Sequence, residues 1–326
     1  MVLRGWRMLL SMMVLLAACA PSGRAPSAAS GARPLAVVAT TSIVGDVVRQ
    51  IGGEGVQVTV LLPVGADPHT FEPSPQDVAR VAEADVVFAV GAGLEVFLEP
   101  LLKNAGGKAL HVELAEGIPL RPFEAIAVHR EEGEESEHGH EHEDHGHKHE
   151  GPWDPHVWLD PLNVITWTHT IEATLSRLDP ERADRYRRNA EAYRAQLREL
   201  DAWIREQVAQ IPPENRKLVT EHQVFGYFAH RYGFEQVGTI LPGVTTIVQP
   251  SPQELAALEE AIRALGVKAI FVSSTVDPAL ARRVAEDTGT RLVQLYVDSL
   301  GEPGSEADSY IGMMRVNVRR IVEALR

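Results

Sequence analysis

The sequence predicts an α/β protein of two lobes, each a mostly parallel sheet flanked by helices, joined by one long rigid helix. Short apolar segments alternate with segments of helical spacing from Leu35 onwards, and a second alternating set begins after Lys217. Such alternation is typical of a parallel sheet covered by helices. Between the two sets, apolar residues recur every three or four positions, which predicts the long helix.

The first lobe is predicted to occupy residues 35–160. Its strands are the segments LAVVAT, VQVTVLL, ADVVFAV and KALHVEL. The intervening segments IVGDVVRQIGG, SPQDVARVAEA and LEVFLEPLLKNAGG have helical spacing, and two of them end at glycine pairs, as many helices do. Residues 121–155 have no periodicity, and so long a loop within a compact lobe is usually functional or disordered. We expect both.

Residues 161–213 are predicted to connect the lobes, with the long helix at about 180–211. Its pattern starts after Asp179 and ends at Pro212, because proline does not continue a helix. About thirty residues of helix span roughly 45 Å. A single helix that crosses both lobes is expected to hold them at a nearly constant angle.

The second lobe is predicted at residues 214–326. Its strands are the segments KLVT, EQVGTI, KAIFVSS and RLVQLY, and their alternation with helical segments predicts a second parallel sheet. The helices are expected near Val224–Tyr232, Pro252–Leu265, Pro278–Thr288 and Ala307–Leu325.

The N-terminus has the pattern of a secretory signal, which we assign to residues 1–18. Arg4 and Arg7 precede the apolar run Met8–Ala18, which is too short to span a bilayer with those flanks. The run ends in LLAAC, which resembles a bacterial lipobox, so Cys19 is predicted to be lipidated. The alternative is a non-lipidated signal with an incidental cysteine.

A lipid on Cys19 implies a protein secreted across the cytoplasmic membrane and anchored in the periplasm or on the outer face of the cell membrane. Residues 19–34 are small, polar and rich in proline, which predicts a flexible tether. Because Cys19 is the only cysteine, a transition-metal site in the folded part must use imidazole and carboxylate ligands.

The formal net charge of −14 argues against a nucleic-acid partner, because phosphate binding requires a basic face. Half of this charge lies in residues 130–150, which hold nine acidic residues and two basic ones, a net of −7. The same segment contains a tract of six histidines: His138, His140, His142, His145, His147 and His149.

Three other histidines lie in loops or just past probable strand ends. His69 comes after the second strand, His222 follows the first strand of the second lobe, and His156 lies between two Asp-Pro pairs. Ligands bind beyond the carboxyl ends of strands in open parallel sheets, so these imidazoles can converge in the cleft between the lobes. Asp298, after the last strand, can complete a His₃Asp site that suits Zn²⁺, with Mn²⁺ possible.

The spacing alone leaves a second interpretation open. A lone histidine near a strand end is more often a surface or capping residue than a ligand. His111 and His230 are interpreted as structural, and His169 as a residue within a helix.

Five ordered motifs resemble the cluster A-I (cluster 9) solute-binding lipoproteins of bacterial metal ABC transporters. They are ADPHTFEPSP, DPHVWLDP, TEHQVFGYFAHRYGF, PSPQEL and YVDSLGEPGSEADSYIGMMRVNVRRI. The zinc-specific branch, with its histidine-rich acidic loop, is the most similar, and the resemblance extends from about Leu35 to Arg326. It implies a monomer that captures Zn²⁺ and delivers it to an ABC permease with its ATPase.

The resemblance also implies the ligands. The family's metal ligands correspond to His69, His156, His222 and Asp298, of which Asp298 is the least secure, because some zinc-specific members use water or glutamate there. A glutamate at position 222 is typical of manganese binders, so His222 favours zinc. Glu72 and Glu221 are carboxylates expected close to the site. The six tract histidines are then a mobile, low-affinity collecting loop, or alternatively a solvated linker with accidental metal affinity.

We therefore expect a zinc-binding transport protein and not an enzyme. A catalytic zinc keeps an open position beside a general base, whereas a closed His₃Asp site has none. The sequence also has no HExxH motif and no phosphate-binding loop. The alternatives are manganese or iron binding by the same family, a metal-dependent adhesin, and a secreted zinc hydrolase.

Overall fold

The computed structural model describes residues 33–122 and 153–326. The predicted signal peptide, Cys19 and nearly all of the tether lie outside the described residues. So do most of the loop at 121–155 and the six histidines of the tract, His138, His140, His142, His145, His147 and His149. No helix in the two described ranges is both long and apolar enough to cross a membrane.

The elements of the first lobe are β1 Leu35–Ala39, α1 Ser42–Gly52, β2 Val56–Val60, α2 Pro75–Ala82, β3 Val86–Ala89, α3 Leu98–Asn104 and β4 Leu110–Glu113. The four strands form a parallel sheet in the order β2-β1-β3-β4. Helix α1 is capped by Thr41, whose hydroxyl accepts a hydrogen bond from the amide of Val44. Helix α2 starts with a capping box between Ser74 and Asp77.

Two helices follow the first lobe, α4 at Pro161–Leu178 and α5 at Ala183–Val208. The long helix α5 is shorter than the predicted range of about 180–211. At its start, Pro180–Arg182 form a 3₁₀ turn, in which the Arg182 side chain bonds to Asp179. At its end, Pro212 disfavours a helical conformation for the residue before it.

The elements of the second lobe are β5 Lys217–Thr220, α6 Gly226–Tyr232, β6 Glu235–Thr239, α7 Pro252–Leu265, β7 Ala269–Ser273, α8 Ala279–Thr288, β8 Arg291–Leu295 and α9 Tyr310–Leu325. Its four parallel strands, in the order β6-β5-β7-β8, repeat the topology of the first lobe. Helix α7 starts with a capping box between Ser251 and Glu254.

The lobes are joined by a shared core as well as by the connecting helices. One cluster of buried apolar residues includes Phe88 of the first sheet, Phe271 of the second and Leu197 of α5. Helix α5 packs against both α1 and α9. Below the cleft, the indole Nε1 of Trp158 donates to the carbonyl of Val297 at 2.9 Å. These contacts favour a nearly constant angle between the lobes.

Candidate metal centre

Four buried side chains converge in the cleft between the lobes: His69, His156, His222 and Asp298. One nitrogen or oxygen of each lies within 4.8 Å of the corresponding atom of every other. Nε2 of His156 is 3.4 Å from Nε2 of His69 and 3.4 Å from Nε2 of His222. It is also 4.0 Å from Oδ1 of Asp298.

The sheet topology explains this convergence. His69 lies in the loop after β2, His222 two residues after β5, and Asp298 in the segment after β8. In each sheet, one central strand is followed in the chain by one edge strand, and the other central strand is followed by the opposite edge strand. Two connections that diverge in this way leave a crevice at the carboxyl ends of the central strands. His156 reaches the same crevice from the segment that precedes α4.

The two histidines of the first lobe share one local structure. Each is the third residue of an Asp-Pro-His sequence. Oδ1 of Asp67 accepts a hydrogen bond from the backbone amide of His69 at 2.9 Å, and Oδ1 of Asp154 accepts one from that of His156 at 2.9 Å. Such Asx turns restrict the backbone at each histidine, because the aspartate binds the chain two residues on.

Asp154 also contacts the ring of His156. Its Oδ1 lies 2.8 Å from Nδ1 of His156, and both side chains are almost completely buried. When the Nδ1–H group donates a hydrogen bond to the carboxylate, Nε2 has a free lone pair directed at the other two imidazoles. A carboxylate in this position orients a metal-binding histidine and raises its basicity.

Asp298 presents its two oxygens differently. Oδ2 accepts a hydrogen bond from the hydroxyl of Ser273 at 3.1 Å and lies 3.3 Å from Oγ1 of Thr275. Oδ1 is buried and has no hydrogen-bond partner among the described residues, although it faces Nε2 of His156. A buried oxygen without a partner costs free energy unless a cation or another donor is present.

The electrostatics favour neutral imidazoles. Burial, followed by the neighbouring rings of His156 and His222, lowers the pKa of His69 to about 3. Burial lowers the pKa of His156 to about 4, and burial together with His156 lowers that of His222 to about 3. Neutral imidazole is the form that binds a metal. Burial raises the pKa of Asp298, since the carboxylate is far from solvent.

Two further carboxyl groups border the centre. Burial raises the pKa of Asp154 to about 7 and that of Glu221 to about 8. Oε2 of Glu221 accepts a hydrogen bond from the amide of Ser273 at 3.0 Å, so Glu221 supports the residue that contacts Asp298. Glu72, by contrast, is exposed and lies outside the cluster of four.

The remaining predicted structural histidines lie apart from the cluster. His111 is in β4, with Nε2 4.0 Å from a carboxylate oxygen of Glu113. His169 is in α4 near Arg194, and His230 is exposed on α6.

A cavity of about 340 Å³ leads from His69 towards the surface. Its walls are mostly apolar and come from both lobes, including Leu94, Trp153, Val244 and Ile247. The indole of Trp153 is 40% exposed and Ile247 is 60% exposed. Of the four converging side chains, His69 is the one that contributes to the lining of this cavity.

Three residues around the centre were not predicted from the sequence: Asp154, Ser273 and Thr275. Asp154 could have been found, because the repeated Asp-Pro-His pattern indicates two equivalent turns. Ser273 and Thr275 carried no signal, since a hydroxyl at a strand end is common and Asp298 is more than twenty residues away in sequence.

Comparisons with known proteins assign the chain to a family. The family model described as zinc-uptake complex component A, periplasmic, matches residues 37–324. The manganese-binding lipoprotein MntA of Halalkalibacterium halodurans is 34% identical over 292 residues, which is 89% of this chain and 88% of that protein. The manganese ABC transporter substrate-binding lipoprotein PsaA of Streptococcus pneumoniae is 31% identical over 320 residues, covering 96% and 95%.

Solved structures agree with this assignment. The periplasmic zinc binding protein TroA from Treponema pallidum superposes with a TM-score of 0.76 at 28% identity, over 90% of this chain and 99% of that chain. The Mn-bound periplasmic metal binding protein from Candidatus Liberibacter asiaticus has a TM-score of 0.73 at 26% identity, over 89% and 99%. The chain therefore belongs to the zinc-uptake complex component A family of metal-binding ABC transporter proteins, and it is a solute-binding protein rather than an enzyme.

Proposed function

We propose that this protein captures Zn²⁺ with His69, His156, His222 and Asp298 and delivers it to the permease of an ABC transporter, whose ATPase drives import. The observation that carries this proposal is the convergence of four buried ligand atoms within 4.8 Å of one another. Three of the four are uncharged nitrogens, and the fourth is a carboxylate oxygen without a partner in the described part of the chain.

Two distances and the donor set support zinc. A tetrahedral site with metal–ligand bonds of about 2.0–2.1 Å has edges of about 3.3–3.4 Å. The two distances from Nε2 of His156 to the other imidazoles are both 3.4 Å, whereas its distance of 4.0 Å to Oδ1 of Asp298 is longer than such an edge. Three imidazoles and one carboxylate are also a borderline donor set that suits Zn²⁺.

Manganese is the second candidate, because similar proteins are named for it. MntA and PsaA are described as manganese-binding or manganese-transporting, and one of the similar solved structures is Mn-bound. In the usual order of affinities of divalent metal ions for protein sites, Mn²⁺ binds nitrogen-rich sites more weakly than Zn²⁺ does. The donor set here therefore favours zinc in a direct competition.

The histidine tract is proposed to collect zinc at low affinity and supply it to the centre. The described chain enters and leaves the intervening segment at Pro122 and Trp153, which form an antiparallel bridge. Trp153 also lines the cavity that reaches His69. Trp153, at which the described chain resumes after the segment that contains the tract, therefore lies at the cavity. Together with a lipid on Cys19, this suits a membrane-anchored monomer that gathers cations for a permease.

The proposal is tested by single substitutions in a protein that lacks the tract. Replacement of His69, His156 or His222 by alanine is expected to weaken zinc binding at least about 100-fold, because each removes a direct ligand. His230→Ala is the matched control, since that histidine is exposed on α6. Calorimetry with a competing chelator measures the affinities. Unchanged tight binding in His222→Ala would contradict the assignment.

The choice of metal needs a separate titration. Zn²⁺ is expected to remain bound when Mn²⁺ is added at an equal concentration. Displacement of Zn²⁺ by Mn²⁺ under these conditions would support the manganese alternative. Loss of growth in zinc-poor medium, when the gene is deleted, would separate transport from an adhesin whose metal is only structural.

A further inference from the structure

We infer that Ser273 and Thr275 determine metal preference by holding one oxygen of Asp298, so that this carboxylate offers a single ligand atom. This inference rests on the proposed function, because it assumes that Asp298 binds the transported metal. Neither hydroxyl is assigned as a ligand itself. Both act through Asp298 and are positioning residues.

Three polar contacts join these side chains, and the two hydroxyl protons can make two of them hydrogen bonds at a time. The hydroxyl of Ser273 donates to Oδ2 of Asp298 at 3.1 Å, and Oγ1 of Thr275 lies 3.3 Å from the same oxygen. The two hydroxyl oxygens are 2.7 Å apart, so a hydroxyl that does not donate to Asp298 can donate to the other one. Oδ1 of Asp298 accepts no hydrogen bond from the described residues and faces His156.

The backbone holds these hydroxyls in place. Ser273 is the last residue of β7, and its amide donates to Oε2 of the buried Glu221 at 3.0 Å. The amide of the next residue, Ser274, donates to the carbonyl of Leu295 in β8 at 2.8 Å. The amide of Thr275 donates to the hydroxyl of Ser273 at 3.2 Å. The backbone of Ser273 and Ser274 is therefore held at the end of the sheet, and the bond from the Thr275 amide favours one orientation of the Ser273 hydroxyl.

The consequence follows from coordination chemistry. Rotation of Asp298 to bind a metal with both oxygens would break its hydrogen bonds with Ser273 and Thr275 in a place that water reaches poorly. With Oδ2 held, the centre supplies three nitrogens and one oxygen, which is the four-coordinate arrangement of zinc. Mn²⁺ favours octahedral, oxygen-rich sites, so it gains more than Zn²⁺ from a second carboxylate oxygen.

The experiment removes both hydroxyls in the double variant Ser273→Ala, Thr275→Val. Dissociation constants for Zn²⁺ and for Mn²⁺ are measured separately by competition with chelators, on protein without the histidine tract. The preference for Zn²⁺ over Mn²⁺ is expected to fall by about tenfold or more, mainly through tighter Mn²⁺ binding. Bound Co²⁺ gives a second measurement, because its visible absorption weakens when four-coordinate geometry is lost.

Two controls accompany the double variant. Thr275→Ser keeps the hydroxyl and is expected to keep the wild-type preference. Thr290→Val removes a similar half-buried hydroxyl, paired with Thr288 at 2.8 Å, which precedes β8, whereas Asp298 follows that strand. If the double variant does not fold, Thr275→Val is used alone, because a substitution at this half-buried position disturbs folding less. It is expected to give part of the change, since one of the two hydroxyls remains.

The outcomes separate this inference from the proposed function. One outcome would overturn the role of Ser273 and Thr275 alone. In it, His222→Ala weakens zinc binding, but the folded variants keep the wild-type Zn²⁺ to Mn²⁺ ratio and Co²⁺ spectrum. Tight zinc binding that is unchanged in the His222→Ala variant would overturn the proposed function and this inference with it. A reduced ratio in the double variant, with both controls unchanged, would support the inference.

Discussion

The carboxylate of Asp154 and the imidazole of His156 are joined twice, through the backbone amide of His156 at 2.9 Å and through its Nδ1 at 2.8 Å. The first contact determines where the chain places His156, and the second determines the rotation of its ring. The second oxygen of Asp154 lies against Gly226 at the start of α6, where a side-chain Cβ would be only 2.3 Å from it. Asp154 therefore has little freedom to move.

Replacement of Asp154 by alanine is expected to weaken zinc binding by about 10- to 100-fold, because such carboxylates orient the metal-binding imidazole. Asp154→Asn keeps an oxygen that can accept from Nδ1 and is expected to lose less. Asp85→Asn is a control at the amino end of β3, away from the carboxyl ends of the strands, where Asp85 contacts Arg33. Chelator competition measures the affinities. Equal losses in Asp154→Asn and Asp154→Ala would indicate that the charge matters and the hydrogen bond does not.

The second prediction concerns the contribution of the long helix α5 to the free energy of unfolding. Leu200 of α5 is completely buried. Leu200→Ala is expected to lower the free energy of unfolding by about 2–5 kcal/mol, since it leaves a cavity in a core shared by both lobes. Glu199→Ala, an exposed change on the same helix, is expected to have little effect. Urea unfolding is followed by circular dichroism and by tryptophan fluorescence. Two separate transitions in Leu200→Ala would show that the lobes do not share one core.

Acid stability is predicted from Asp201, which joins α5 to α6. Burial raises the pKa of Asp201, but hydrogen bonds from Arg231 at 2.7 Å and Tyr232 at 2.9 Å outweigh it, and the net pKa is below the ordinary 3.8. The unfolded chain then takes up a proton at a higher pH than the folded protein. The stabilisation is therefore present above about pH 4 and lost as the pH falls through the folded pKa.

Asp201→Asn tests this sign. The variant is expected to be less stable than the wild type by about 1 kcal/mol at pH 7, and the difference is expected to shrink below about pH 4. Urea unfolding of the metal-free proteins at several pH values measures it. Asp184→Asn, which removes an exposed ion pair with Arg187 on the same helix, is the control with little change at any pH. A difference that grows in acid would show that the pKa is shifted the other way.

Deletion of residues 131–150 is expected to abolish weak zinc binding and leave one tight site. All four proposed ligands lie in the described part of the chain, outside the deleted segment. Calorimetry would show the loss of the weak equivalents, and uptake is expected to suffer mainly when zinc is scarce. The imidazoles of the tract are also expected to release weakly bound zinc as the pH falls, because protonated imidazole does not bind a metal. Loss of the tight site would instead make the tract a primary ligand donor.

The sequence by itself determined the features that depend on neighbouring residues. The two Asp-Pro-His turns form because each aspartate reaches an amide only two residues away. The spacing of apolar residues determined α5, whose positions Tyr186, Leu197 and Ile204 are buried as the three- and four-residue pattern requires. The alternation of strands and helices likewise determined two parallel sheets, and with them the ends at which His69 and His222 lie.

Only the tertiary structure decided which side chains meet across large separations in sequence. Ser273 and Thr275 contact Asp298 because parallel pairing places β8 beside β7, and no local pattern marks that contact. Nε2 of His156 lies 3.4 Å from Nε2 of His222, which is 66 residues away, because the lobes pack around one core. Periodicity reports the face that a residue occupies, but the packing of one lobe against the other determines its partners, and therefore the shape and burial of the centre.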